Sequence, residues 1–189
     1  GLAMVGATRA LVDSLAAANY PMPDIDELTS LAAVDVTPAY INDLSRRGYK
    51  PKSLDELVQF GALDITPAYI DAMAHSGYRN LTGEDIVQMK AVGVTPEYVA
   101  ALARSGYTGI DADAVVQLKA LDVSPEFIAG FERIGYHGLP ADTLVQLKAL
   151  DVTPKYVAEM KQLGVSDLSP DQLVKMKAIG LEAPSRKRR

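Results

Sequence analysis

Val94-Thr95-Pro96-Glu97-Tyr98-Val99-Ala100-Ala101-Leu102-Ala103-Arg104-Ser105-Gly106-Tyr107 carries both the start and the stop of a helix. Thr95 suits the N-cap, where its hydroxyl accepts from a free N–H, and Pro96 suits N1, where a missing N–H costs nothing. Val94 at N' can staple onto Val99 at N4. Gly106 then fits the left-handed C' position, and Tyr107 at C'' is placed to touch Leu102 at C3. The Thr-Pro pair recurs as Thr37-Pro38, Thr66-Pro67, Ser124-Pro125 and Thr153-Pro154 at a constant step of 29 residues. Gly48, Gly77, Gly135 and Gly164 keep the same step, and all nine tyrosines fall in two columns. One is Tyr40, Tyr69, Tyr98 and Tyr156, with Phe127 in its fourth place; the other is Tyr20, Tyr49, Tyr78, Tyr107 and Tyr136.

Between successive units of this kind, here called helix B, lies a second set of signals. Asp24, Ser53, Thr82, Asp111 and Ser169 form a column of N-caps, broken only by Pro140. Glu27, Glu56, Asp85 and Gln172 stand three residues later, so Ser53–Glu56 and Ser169–Gln172 fit the capping-box pattern. This helix A is expected to end at Asp35, Asp64, Gly93, Asp122, Asp151 and Gly180, residues that tolerate a left-handed C'. Each repeat is therefore two antiparallel helices of about 10 to 12 residues, too short to persist alone. At about 100° per residue, Tyr98, Val99 and Leu102 share a stripe of helix B, and Arg104 points away from it. In helix A, Ile86, Val87, Met89, Ala91 and Val92 spread around most of the circumference, which predicts packing on more than one side.

The expected fold is all-α, an α-solenoid of tandem 29-residue helix-turn-helix repeats forming a superhelix, because units this small bury their apolar faces only by stacking. One array is expected over residues 1–181, with a partial repeat at 1–20, further repeats from about 21 and a terminal helix at 169–179. Residues 182–189 read as a basic disordered tail. Beginning inside a repeat points to a truncation, a processed product or a longer array.

The chain has 189 residues, 48% of them apolar and 23% charged, a globular composition. It has 24 acidic and 19 basic residues, four of the latter in Arg186-Lys187-Arg188-Arg189, so the rest of the chain carries a net charge near -9. Such a body suits a phosphate backbone poorly. The basic end could serve as a nuclear-type or anionic-surface address, with a solubilising end as the plainer reading. There is no cysteine, which removes thiolate nucleophiles and zinc–thiolate sites, and no apolar run long enough to span a bilayer.

The helix-B pattern V-T-P-x-Y-V-x-x-L-x-x-x-G-Y, as in Val94 to Tyr107, alternating with the helix-A pattern L-x-x-D-x-L-V-Q-L-K-A-L-x-V, as in Leu139 to Val152, resembles a bacterial tandem helical repeat. Such repeats occur in extracytoplasmic regions of β-lactam-sensor-like membrane metallopeptidases and of anti-sigma-factor-like proteins. The resemblance covers about Leu2 to Leu181. It implies a helical repeat region with an extracytoplasmic (periplasmic) address and a possible membrane tether outside this segment. The metallopeptidase zinc motif is absent, so no catalytic residue carries over. Tetratricopeptide and ankyrin repeats have other periods, and the leucine-rich pattern is missing.

No residue stands out as catalytic, and no cofactor or metal is expected. His75 and His137 occupy different columns without a second ligand at metal spacing. The repeated carboxylates sit where capping and the helix dipole explain them. Two ladders remain as candidate binding surfaces. Arg46, His75, Arg104 and Arg133 form a basic column on the wet face of helix B, either a nucleic-acid reader or a complement to the dipole of the last turn. Lys90, Lys119 and Lys148, continued by Lys177, lie inside the apolar arc of helix A. They are either stems lying along apolar surface or a line of cations facing an acidic partner. Gln59, Gln88, Gln117 and Gln146 run beside them.

The function expected from these features is a non-enzymatic protein-interaction or scaffold module that binds a polypeptide along an extended repeat surface. The alternatives are a spacer or regulatory ectodomain of a larger membrane-associated protein, and a nucleic-acid-binding repeat protein using the Arg46 column. A protein or peptide partner is expected, with nucleic acid disfavoured and no membrane insertion by this segment.

Overall fold

The structure, a computed structural model, describes residues 2–165 and 167–181. The expected tail at 182–189, Arg186–Arg189 included, lies outside the described residues. Those described form an all-α chain of twelve helices without a strand: α1 (Leu2–Ala17), α2 (Ile25–Ala33), α3 (Pro38–Arg46), α4 (Leu54–Ala62), α5 (Pro67–His75), α6 (Gly83–Ala91), α7 (Pro96–Arg104), α8 (Ala112–Ala120), α9 (Pro125–Arg133), α10 (Ala141–Ala149), α11 (Pro154–Gln162) and α12 (Pro170–Ala178). The even-numbered helices are of type A and the odd-numbered ones, including the later turns of α1, of type B. No helix among the described residues is long and apolar enough to cross a membrane.

The helix starts follow the sequence signals. The hydroxyls of Thr37, Thr66, Ser124 and Thr153 accept from the N–H three residues on, each with proline in the first turn. Asp24–Glu27, Thr82–Asp85 and Ser169–Gln172 close reciprocal capping boxes. Ser53 departs from expectation. It caps the Glu56 N–H, but the Glu56 carboxylate accepts from the Lys52 N–H instead of closing the box. Pro140 supplies no side-chain cap.

The helix ends explain a difference in length: α2 to α12 have nine residues each, shorter than expected. Three further residues form a left-handed termination rather than another turn of helix. In helix B, the Gly106 N–H donates to Ala103 O (3.1 Å) and the Tyr107 N–H to Leu102 O (3.0 Å). In helix A, Asp35, Asp64, Asp122 and Asp151 stand at φ between 50° and 56°, where Gly93 has 76°. Aspartate pays little for this conformation because its short carboxylate can interact locally.

The chain divides between Pro96 and Glu97 into two compact units. In the first, α2 packs on α4, α4 on α6 and α1 on α3. In the second, α8 packs on α10, α10 on α12 and α9 on α11. Like thus stacks on like, A on A and B on B. The buried columns are narrower than the helix-A angles suggested: Ile86 and Met89 are buried, Val87 and Val92 half-buried, and Ala91 exposed. Helix A therefore buries one stripe. Helix B buries Ile41 and Leu44, Ile70 and Met73, Val99 and Leu102, and so on along the chain. Among the described residues no polar side chain is fully buried. The cores are hydrocarbon, and the polar contacts are made at their margins.

Candidate functional site

The lysine ladder is the first feature the structure resolves chemically. Lys90 Nζ lies 4.9 Å from the centre of the Tyr69 ring, Lys119 Nζ 5.0 Å from Tyr98, Lys148 Nζ 5.1 Å from Phe127 and Lys177 Nζ 4.9 Å from Tyr156. Each lysine thus covers an aromatic ring of the helix B before it, 21 residues earlier in sequence. All four lysines are half-buried, so the stem packs and the ammonium sits over the ring face. Such contacts contribute about 0.5 to 2 kcal/mol according to how far the cation is desolvated.

The same rings are anchored at their far ends. Tyr69 Oη donates to Val94 O (2.9 Å), Tyr98 Oη to Val123 O (2.9 Å) and Tyr156 Oη to Leu181 O (2.8 Å). Tyr40 Oη donates likewise to Ile65 O. The acceptor is always the carbonyl 25 residues on, at the residue after the left-handed turn of the next helix A. The second tyrosine column makes longer reaches. Tyr20 Oη donates to Pro51 O (2.9 Å), Tyr136 Oη to Leu168 O (2.6 Å) and Tyr107 Oη to Leu139 O, all in the loop before a helix A. Lys50 lies over Tyr20 at 5.2 Å and Lys161 over Tyr136 at 5.6 Å.

Burial pushes the Tyr69 and Tyr98 phenols up to about 12, with the Asp122 carboxylate adding to the shift at Tyr98. Tyr20 rises to about 12 by burial and by the charge of Glu56, and Tyr40 rises further by burial and by the charge of Asp64. A phenol held this firmly protonated is a hydrogen-bond donor rather than an acid–base catalyst at ordinary pH.

In the early repeats Ala32 and Gly61 replace the lysine. At Gly61 the reason is steric: an added Cβ would stand 2.6 Å from Val34 Cγ2 and 2.8 Å from Val34 O. Arg47 supplies a polar link here, pairing with Asp43 in its own helix (3.2 Å) and with Asp71 of α5.

The basic column behaves differently. Arg46, His75, Arg104 and Arg133 are exposed in the last turns of α3, α5, α7 and α9. Arg46 Nε donates to Asn42 O (3.3 Å), Arg133 Nε to Ala129 O (3.2 Å), and His75 Nδ1 lies 2.6 Å from Asp71 O. These side chains fold back on the carbonyls one turn earlier, where a cation complements the negative helix end. The two ladders lie on different helix types and are not brought into one site. The tyrosine clasps were visible in the sequence only as columns, since nothing local indicates an acceptor 25 or 32 residues away. No group of histidine, aspartate and glutamate among the described residues could hold a metal ion.

No protein-family model matches the chain, and comparisons with curated proteins and with solved structures likewise found no match.

Proposed function

We propose that this chain is a non-enzymatic protein-interaction or scaffold module, an α-solenoid that offers a polypeptide an extended surface along its repeats. The observation that supports it most is the use made of the regular polar columns. Tyrosines, and from Lys90 onward lysines, link a helix B to the helix A that follows it, cap residues close their own helix starts, and the basic column complements its own helix ends. A periodic framework tied in this way holds the remaining exposed side chains in fixed register, which suits recognition of an extended partner.

The test compares the wild type with an Arg46→Ala, Arg104→Ala, Arg133→Ala variant in pull-downs from nuclease-treated extract at two salt concentrations. The interaction reading expects a protein partner that survives nuclease and both salts. A partner lost to nuclease and salt, and lost in the variant, would establish nucleic-acid binding instead. Absence of any partner would favour a spacer.

A further inference from the structure

Four lysines show what this fold places over the aromatic rings of helix B. At Tyr69, Tyr98, Phe127 and Tyr156 the ammonium of Lys90, Lys119, Lys148 or Lys177 stands 4.9 to 5.1 Å from the ring centre. Tyr40 belongs to the same column, and its hydroxyl is tied to Ile65 O as that of Tyr69 is tied to Val94 O. The residue 21 positions on is Gly61, however, and no cation of the described residues lies over the Tyr40 ring.

The ring borders instead a pocket of about 360 Å³ whose walls include Val34, Asp35, Val36, Gly61 and Asp64. Every wall has its counterpart at the Lys90 step, where Leu63, Asp64, Ile65, Tyr69 and Gly93 stand in the same columns, so the pocket owes its opening to the residue at 61. The chain itself is kept from filling it from that position, because a Cβ on Gly61 would meet the Val34 turn. A stem entering from solvent brings no such Cβ. Asp35 and Asp64 are exposed and form no ion pair among the described residues. Burial, and after it the charge of Asp64, raises the Tyr40 phenol, so this carboxylate is electrostatically close to the ring. The Lys90 step has one aspartate and its own cation; this step has two aspartates and a bare ring face, and both features attract positive charge.

We propose that the pocket at Tyr40 and Gly61 receives a lysine side chain of a partner polypeptide, its ammonium over the Tyr40 ring as Lys90 lies over Tyr69, with the Asp35 and Asp64 carboxylates beside it. Lysine fits better than a bare cation. Val34, Val36 and Ile65 give the pocket apolar walls along which a methylene stem packs while its charged head stays wet. The net charge near -9 of the chain outside its basic end draws a basic segment toward it. The proposal rests on the reading of the chain as a polypeptide-binding module, and it names one contact of that surface.

The test is a nuclear magnetic resonance titration of the full chain with an end-blocked alanine–lysine–alanine peptide, up to about 50 mM because a single side chain binds weakly. The Tyr40 ring and Gly61 amide signals should shift and saturate. The Tyr69, Tyr98 and Tyr156 rings, already under lysines of the chain, should not move. The same peptide with norleucine for lysine should shift none of them. Asp35→Asn combined with Asp64→Asn keeps residues that tolerate the left-handed turn and should weaken binding about 3- to 10-fold. Asp122→Asn with Asp151→Asn, at the step that Lys148 fills, should leave it unchanged. No shift at Tyr40, equal binding of the norleucine peptide, or equal shifts at all four rings would overturn the proposal. n-Butylammonium, which has the same head and stem without a backbone, should bind more weakly than the peptide; equal binding would overturn the polypeptide as the source. A chain that captures a protein from extract yet ignores the lysine peptide overturns the pocket and keeps the module, whereas saturable binding by a chain that captures no protein keeps the pocket and overturns the module.

Discussion

Tyr98→Phe isolates one clasp with little disturbance. The substitution removes the hydrogen bond from Tyr98 Oη to Val123 O (2.9 Å) and leaves the ring under Lys119, 5.0 Å from its ammonium. The fold already contains the outcome at another step, where Phe127 lies under Lys148 at 5.1 Å without a hydroxyl. A hydrogen bond of this kind contributes about 0.5 to 1.5 kcal/mol net, and the carbonyl left behind adds to the loss if it stays dry. Tyr98→Phe is therefore expected to lower the unfolding free energy by about 1 kcal/mol, as a lower urea midpoint with an unchanged slope. The converse, Phe127→Tyr, directs a hydroxyl toward Val152, a fully buried residue, and should raise stability by a similar amount. Urea unfolding followed by far-ultraviolet ellipticity measures both. If Tyr98→Phe stays within about 0.3 kcal/mol of the wild type and Phe127→Tyr destabilises, the hydroxyls do not hold the repeats together, and the 25-residue reach is incidental.

The remaining predictions follow from the same geometry. A double-mutant cycle on Lys119→Met and Tyr98→Leu should give a coupling of about 0.5 to 1 kcal/mol; a value near zero would reduce the ladder to stem packing. Gly61→Lys restores the residue of the later repeats and should nevertheless destabilise by about 1 to 3 kcal/mol in urea melts, because its Cβ meets the Val34 backbone; a neutral result would mean that α4 moves away freely. Stability should also fall at alkaline pH. Tyr20, Tyr69 and Tyr98 titrate near 12 when folded against 10 when unfolded, so the folded chain holds more protons in that window. Their contribution is complete below pH 10 and disappears as pH rises through 12, which urea midpoints at a series of alkaline pH values measure; a midpoint flat to pH 12 would contradict it.

The fold was legible wherever its cause is local. Caps at Thr37 or Ser169 act on N–H groups three residues away, and Asp122 or Gly106 sets its own backbone angle, so these columns read directly as helix boundaries. Helix length was misjudged because the three residues that close each left-handed turn look, by polarity, like a continuing helix. The candidate site was less legible. Lys90, Lys119 and Lys148 read either as stems on apolar surface or as cations facing an acidic partner, and neither reading named the ring beneath each, which comes from another helix 21 residues back. The pairing had one sequence signal, that the lysine and aromatic columns persist together from Tyr69–Lys90 to Tyr156–Lys177. It was ambiguous because Tyr40 persists opposite Gly61. Ser53 shows the opposite failure, a correct local motif whose acidic partner found another N–H.

The departures from the repeat say more about what each step needs than the repeat itself does. Gly61 gives up the lysine where Val34 comes closest, and that step acquires the Arg47–Asp71 pair instead, with both side chains more than a third exposed. A pair so exposed contributes at most about 1 kcal/mol, comparable to the cation–ring contact it stands in for. Phe127 gives up the hydroxyl but keeps its lysine. Ala32 and Leu11 lack lysine, ring and hydroxyl together, and both line the apolar groove bounded by α1, α2 and the start of α3. An inner step loses one element of the clasp and keeps the others, since a turn of the same chain is already seated there.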